Sequence, residues 1–147
     1  MVHFVGAGSG AADLITVRGA RLLGEADVVI YAGSLVNPAL LSYTKPGCEI
    51  HNSAKMTLEE VIAVIRAAEA ARKTTVRLHT GDSSIYGAVR EQFDELEALG
   101  IAYDVCPGVS AFCGAAALWR RLVNTANLAK GKSAPAFRWP SNTTTLP

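Results

Sequence analysis

The sequence predicts an α/β fold, with a mainly parallel five-stranded sheet and helices on both faces. Short apolar and β-branched runs alternate with segments whose apolar residues recur at helical spacing, and repeated strand–helix units of this kind are typical of parallel sheets. One run, residues 26–31, is apolar except for Asp27, as expected for a strand buried on both faces. Half of the 147 residues are hydrophobic, which is enough for one domain with a packed core.

The predicted elements alternate along the chain. The strands cover residues 2–5, 26–31, 49–51, 75–78 and 101–106. A first helix is predicted from the spacing of Leu14, Val17, Ala20, Leu22 and Leu23. Further helices are predicted over residues 35–43, 58–65, 85–99 and 109–118. The third of these five helices starts at a capping box formed by Thr57 and Glu60, and Pro38 fits the first turn of the second.

Composition removes several classes of function. The net charge of +1 gives no electrostatic reason to expect a nucleic-acid partner, and no apolar run reaches the roughly 20 residues of a membrane span. The first residues lack the basic region and long apolar core of a secretory signal, so a cytoplasmic location is expected. Cys48, Cys106 and Cys113 lack metal-ligand spacing, so we expect no metal and interpret all three as reduced packing residues.

Polar, glycine-rich turns follow three of the predicted strands, where open α/β sheets place their ligands. They cover residues 6–11, 79–87 and 107–110. The first fits G-x-G-x-x-A and suggests a dinucleotide site, but no acid stands at the tip of the second strand, which ends Tyr31-Ala32-Gly33. A small dinucleotide-binding module therefore stays as an alternative, and so does the simpler interpretation that the glycines only permit tight turns and close packing.

These stretches together resemble the tetrapyrrole (corrin/porphyrin) methylases, in order and without large gaps over residues 1–118. Residues 31–37, 76–87 and 107–112 are similar in particular to the branch that methylates C11 of precorrin-4 or cobalt-precorrin-4. The resemblance implies a two-domain, homodimeric enzyme of cobalamin biosynthesis. Such an enzyme transfers a methyl group from S-adenosylmethionine, held in the cleft between its domains, to a tetrapyrrole.

The resemblance also implies the residues that contact the cofactor. The matching positions lie in the three glycine-rich turns and are Ser9, Thr80, Gly81, Asp82, Ile85, Ser110 and Ala111. Ser9 occupies a position usually held by proline in the family, and Ala11 one where aspartate is frequent. No catalytic residue is carried over, because Gly33 stands where related branches carry an acid proposed to accept a proton.

Other residues have two interpretations. Asp82 can cap the start of the helix predicted to follow it, contact the cofactor, or do both. We expect His79 to be a hydrogen-bonded structural histidine, with contact to a substrate carboxylate as the alternative. We expect Arg77 to be solvated at the surface, although it could also meet a carboxylate of the substrate.

The family pattern stops after Leu118. Residues 119–147 hold Ser, Thr, Asn and three prolines with little periodicity, which predicts an irregular tail, and the family's C-terminal domain is not recognisable. We therefore expect little activity from this chain alone, and a non-catalytic relict is a further alternative.

Overall fold

Five parallel strands form one sheet at the centre of the structure, a computed structural model that describes residues 1–85 and 89–118. The strands are β1 (Val2–Gly6), β2 (Val28–Tyr31), β3 (Glu49–Asn52), β4 (Thr75–His79) and β5 (Tyr103–Cys106). Their order is β3-β2-β4-β1-β5, and every pairing between them is parallel. The predicted parallel five-stranded sheet is confirmed.

Helices connect the strands. The α-helices are α1 (Val17–Glu25), α2 (Leu58–Ala70), α3 (Arg90–Ala98) and α4 (Ala111–Leu118). Three short 3-10 helices cover Ala12–Leu14, Pro38–Tyr43 and Ser53–Lys55. Met1–Ala115 form one compact unit. The tail predicted over residues 119–147 lies outside the described residues.

Helices cover both faces of the sheet, as predicted. On one face Leu22 and Leu23 of α1 pack against Val5, Val29 and Leu78. The opposite face is covered by α2 and α3, whose buried apolar residues contact the alternate positions of the strands. These residues are Val61, Ile62, Ile65 and Leu96 on the helices, and Val2, Phe4, Val28 and Ile30 on the strands. The period-two alternation of strand side chains therefore produces two separate apolar layers.

Polar side chains fix where the helices start. The predicted capping box is confirmed: the Glu60 N–H donates to Thr57 Oγ1 (3.3 Å), and the Thr57 N–H donates to the Glu60 carboxylate (2.8 Å). Thr16 likewise accepts from the Gly19 N–H, so α1 begins at Val17. The prediction that Leu14 belongs to the first helix is wrong, and Val17, its first residue, does not face the core. Leu14 lies in the preceding 3-10 helix, and Val17 points into solvent with 90% of its surface exposed.

Two other helices differ from the sequence prediction. The segment predicted as a helix over residues 35–43 is a 3-10 helix, Pro38–Tyr43, capped by the Asn37 side chain. The helix predicted from residue 85 begins at Arg90, because Asp82, Ser84 and Ile85 form a hydrogen-bonded turn. Residues 86–88 lie outside the described part of the chain.

The cysteines behave differently from one another. Cys106 is buried in the core, as predicted, whereas Cys113 is exposed on α4, so the prediction that it packs is wrong. Within residues 1–85 and 89–118 no group of three potential ligands could hold a metal ion. No helix in that part of the chain is long and apolar enough to cross a membrane.

Candidate functional site

The three glycine-rich turns meet at the carboxyl edge of the sheet, where β1, β4 and β5 end. The Gly8 N–H donates to the Gly81 carbonyl (3.2 Å), and the Gly81 N–H donates to the Gly8 carbonyl (2.8 Å). One residue earlier, the Ala7 N–H donates to the His79 carbonyl (2.6 Å). The first two turns are therefore joined through their backbones.

The third turn packs against the same point. A Cβ atom on Gly108 would lie 2.2 Å from the Gly81 carbonyl oxygen, and one on Gly6 would lie 2.6 Å from that oxygen and from Gly108 Cα. Gly81 itself has a positive φ of 61°, which favours glycine. Close packing alone thus explains why glycine stands at positions 6 and 108, as the simpler interpretation of the sequence held. We call this contact of Gly6, Gly81 and Gly108 the glycine junction.

The glycine junction brings several of the predicted site residues together. Gly81 lies against the third turn, because its Cβ position is 3.4 Å from Ala111 N and 3.8 Å from Ser110 Cα. Ser9 lies against α4, since a Cβ on Gly114 would come within 2.5 Å of the Ser9 side chain. Members of all three turns are therefore neighbours at one edge of the sheet.

Asp82 holds the second turn in shape. Its Oδ1 accepts from the Ser84 N–H (2.9 Å) and from the Ser84 hydroxyl (2.5 Å). Asp82 therefore caps a local hydrogen-bonded turn and not the helix predicted to start here, because α3 begins only at Arg90. Thr80 and Asp82 are half-buried, whereas 63% of the Ile85 surface is exposed.

Two asparagines that the sequence analysis did not select shape the neighbouring segments. The Asn37 amide donates to the Gly10 carbonyl (2.8 Å) while its oxygen caps the following 3-10 helix, which ties the first turn to the segment after β2. Asn52 fills the space beside Gly33, where a Cβ would lie 2.1 Å from Asn52 Oδ1. A side chain at position 33 would therefore overlap Asn52 of the neighbouring strand β3. An asparagine directly before Pro38 is a capping signal that could have identified Asn37 from sequence.

His79 is not the hydrogen-bonded histidine that was predicted. Its Nε2 is buried and has no hydrogen-bond partner among the described residues, and its ring stacks on Phe4 with 6.2 Å between centroids. Burial, followed by the nearby charge of Arg77, lowers the pKa of His79 to about 3. The imidazole is therefore neutral at physiological pH. The sequence around His79 does not reveal this burial, because the ring stacks on Phe4, a residue distant in sequence.

Arg77 also differs from expectation, because it is buried rather than solvated, with 6% of its surface exposed. Its Nε donates to Gln92 Oε1 (2.9 Å), and its Nη1 donates to the Ile30 carbonyl (3.2 Å). Burial lowers the pKa of Arg77 to about 10, so the guanidinium is still charged at neutral pH. The apolar run around Arg77 predicted a strand correctly but did not reveal which partners the arginine would find.

The strand order bears on the dinucleotide alternative. The usual dinucleotide-binding sheet has the order 3-2-1-4-5-6, with the second strand beside the first. Here β4 lies between β2 and β1. The G-x-G-x-x-A turn therefore faces a different neighbour from the one in that fold, which disfavours a dinucleotide site.

Comparisons with known proteins agree with this architecture. The family model described as Tetrapyrrole (Corrin/Porphyrin) Methylases matches residues 1–130. This chain belongs to that family. A cobalt-precorrin-4 C(11)-methyltransferase of Methanocaldococcus jannaschii is 55% identical over 116 residues, which are 79% of this chain and 45% of the relative.

Solved structures give the same result. The structure of a cobalt precorrin-4 methyltransferase matches with a TM-score of 0.78 at 43% identity, over 81% of this chain and 50% of that one. A uroporphyrin-III C-methyl transferase from Thermus thermophilus, solved in complex with S-adenyl homocysteine, matches with a TM-score of 0.63 at 35% identity, over 75% of this chain and 45% of that one. The chain spans about half the length of the relatives it matches.

The glycine junction gives a direct test of the packing argument. Gly108→Ala should lower the free energy of unfolding by about 3 kcal/mol, because the new methyl group would overlap the backbone of Gly81 and Gly6. Gly24→Ala is the matched control: it lies in α1, and its Cβ would be 3.5 Å from the Tyr43 carbonyl oxygen, an ordinary contact. It should stabilise the protein by up to about 1 kcal/mol. Urea unfolding of both variants measures the difference, and equal effects would contradict the close contact.

The neutral state of His79 predicts a pH dependence. The pKa of His79 is about 3 in the folded protein and near 6.5 in the unfolded chain. Between pH 3 and pH 6.5 the unfolded chain therefore binds more protons than the folded protein. The free energy of unfolding should therefore fall as the pH is lowered from 6.5 towards 3, by at most about 1.4 kcal/mol per pH unit from this group. His79→Phe removes the titrating group and keeps the stacked ring, so its unfolding free energy should lack this component. His51→Gln, on the exposed edge strand β3, should keep it. A wild-type slope retained in His79→Phe would show that the group titrates normally.

Proposed function

We propose that this chain supplies the N-terminal half of an S-adenosylmethionine-dependent methyltransferase that acts on C11 of precorrin-4 or cobalt-precorrin-4 in cobalamin biosynthesis. The observation that carries the proposal is the glycine junction, which gathers at one edge of the sheet the three turns that the family resemblance implies contact the cofactor. The relationship to a cobalt-precorrin-4 C(11)-methyltransferase supports the choice of branch. A homodimeric assembly and a cytoplasmic location, both expected from the sequence, stay predictions.

The residues around the glycine junction suit a zwitterionic ligand that also carries an aromatic base and hydroxyl groups. The half-buried polar groups of Thr80, Asp82 and Ser110 can bind charged and hydroxyl groups, and the exposed side chain of Ile85 offers an apolar surface. Ser9 and Ala111 complete the set that we propose to contact the cofactor. S-adenosylmethionine, when bound, supplies a methyl group already activated on its sulfonium sulfur.

The chain's own contribution is positioning. Methyl transfer to a ring carbon requires the two reactants to be held in line and kept from water, and correct orientation accounts for a large part of the rate in such reactions. The backbone-to-backbone contacts at Gly6, Gly8, Gly81 and Gly108 hold the turns without relying on long side chains. A second wall from the remainder of a full-length enzyme would complete the enclosure, because relatives are about twice as long.

Ligand binding separates the three candidate functions. S-adenosylhomocysteine should bind in isothermal titration calorimetry and NADH should not, whereas the reverse would favour a dinucleotide module and silence with both would favour a relict.

Asp82→Asn keeps an oxygen for the Ser84 hydrogen bonds but removes the charge. It should weaken S-adenosylhomocysteine about tenfold, or about 1.4 kcal/mol. The exposed Asp94→Asn, which only interrupts an ion pair with Arg90 within α3, should leave affinity unchanged. Equal affinities in the two variants would contradict a role for the Asp82 carboxylate in binding.

Turnover tests the proposed need for a second wall. A polypeptide of these 147 residues should transfer a labelled methyl group to precorrin-4 or cobalt-precorrin-4 at least about a hundredfold more slowly than a full-length relative, because one wall cannot orient the macrocycle. Incorporation of label over time, with both proteins at equal concentration, gives the ratio. A rate within about tenfold of the relative, a barrier difference of about 1.4 kcal/mol, would show that the second half is dispensable.

A further inference from the structure

A buried arginine, Arg77, lines an open cavity at the starts of helices α2 and α3. The cavity has a volume of about 170 Å³ and is bounded by Thr57 and Leu58 at the start of α2, by Glu91 and Gln92 at the start of α3, and by Arg77 of β4. A water molecule takes up about 30 Å³ in the liquid, so the cavity has room for a carboxylate group with accompanying water.

The charge of Arg77 is not balanced by the groups it contacts. Its two described hydrogen bonds go to neutral acceptors, the Gln92 amide oxygen and the Ile30 carbonyl, and no carboxylate in the described part of the chain lies within 4 Å of the guanidinium. A guanidinium carries five N–H donors, and the two described bonds use only two of them. Buried charges in proteins are usually paired, and an unpaired one calls for a partner.

The surrounding backbone adds to the positive potential. Helix α3 begins at Arg90 without a side-chain cap, so the N–H groups of its first turn contribute the positive end of a helix dipole. The acidic group among the described lining residues is Glu91, whose side chain is exposed and does not pair with Arg77. The Glu60 carboxylate near the start of α2 is engaged by the Thr57 N–H.

The helices that bound the cavity start at the same edge of the sheet as the proposed site. In parallel strand–helix units the helix that follows a strand starts at the strand's carboxyl end, and α2 and α3 follow β3 and β4 in this way. Arg77 lies on β4 two residues before His79, the first residue of the second turn, and His79 has its own unpartnered Nε2 within the described structure.

We propose that Arg77 and this cavity form an oxyanion subsite that takes a carboxylate group of an organic acid. The subsite itself is independent of the proposed function. Its role within that function, which does rest on the proposal above, is to bind a peripheral carboxylate of the tetrapyrrole substrate. Bidentate pairing between a planar guanidinium and a carboxylate would then fix the macrocycle as well as attract it.

The first experiment uses acetate as the probe. The Arg77 Nε–Hε resonance, assigned through bonds, is followed by NMR as sodium acetate replaces sodium chloride at constant ionic strength. We expect a shift that saturates, with a dissociation constant in the millimolar range, because the binding free energy of a ligand is limited by its small number of atoms. A shift that only rises linearly, or that chloride reproduces, overturns the proposal.

Two glutamate variants make the test specific without disturbing the core. Glu91→Gln removes the negative charge at the cavity and should tighten acetate about fivefold. Glu95→Gln, one turn further along α3 and outside this cavity, should leave the dissociation constant unchanged. If both variants bind acetate as the wild type does, the anion is not held at this cavity and the proposal fails.

The second experiment identifies the source of the carboxylate. Uroporphyrin, a polycarboxylated tetrapyrrole, should displace acetate from Arg77, whereas S-adenosylhomocysteine should not. Displacement by S-adenosylhomocysteine instead would assign the subsite to the amino-acid carboxylate of the cofactor and overturn the role in macrocycle binding. Calorimetry with S-adenosylhomocysteine tests the proposed function separately, so a failure of one can be told from a failure of the other.

Discussion

The carbonyl group of Gly81 is the contact on which the carboxyl edge of the sheet depends. It accepts a hydrogen bond from Gly8 and leaves no room for a side chain on either Gly6 or Gly108. Three turns from distant parts of the chain therefore approach one another at the distance of bare backbones. Because the junction consists of main-chain atoms, the side chains of Ser9, Asp82 and Ser110 are arranged around a support whose shape does not depend on their own rotamers.

The two faces of β4 differ sharply in chemistry. Val76 and Leu78 face the layer beneath α1 and join an apolar core, whereas Arg77 and His79 alternate with them and face the side covered by α2 and α3. One strand thus stabilises the domain through one face and carries unbalanced polar groups on the other. Burying a charged group is unfavourable unless it is neutralised or hydrogen-bonded. On this face His79 is neutral, and the charged Arg77 donates a hydrogen bond to Gln92.

The sequence was sufficient to predict the sheet, its parallel character and the position of all five strands, because the apolar runs are short and bounded by turn residues. The capping box at Thr57 could be predicted equally well, because its two partners lie within four residues of each other in sequence. The strand order could not be predicted, because a helical connection can place the next strand on either side of its neighbour. Arg77 and His79 were misjudged for a related reason: their surroundings come from Phe4, Ile30 and Gln92, and nothing local marks those partners. The family resemblance identified the turns, but the close packing of Gly6 against Gly108 is visible only in three dimensions.

The order of the strands also constrains how the domain can assemble. Strand β1 is first in sequence, yet Val2 pairs with Thr75 on one side and with Tyr103 on the other, so neither neighbour exists until most of the described chain has been synthesised. The pairing of β2 with β3 joins segments much closer in sequence and carries a smaller loop-closure entropy. A nascent chain ending before residue 75 would hold two disconnected pieces of sheet, β1 alone and the β2–β3 pair. The arrival of β4 between them is therefore the event that converts separate segments into a cooperative unit, and folding of this domain should be slow relative to its size.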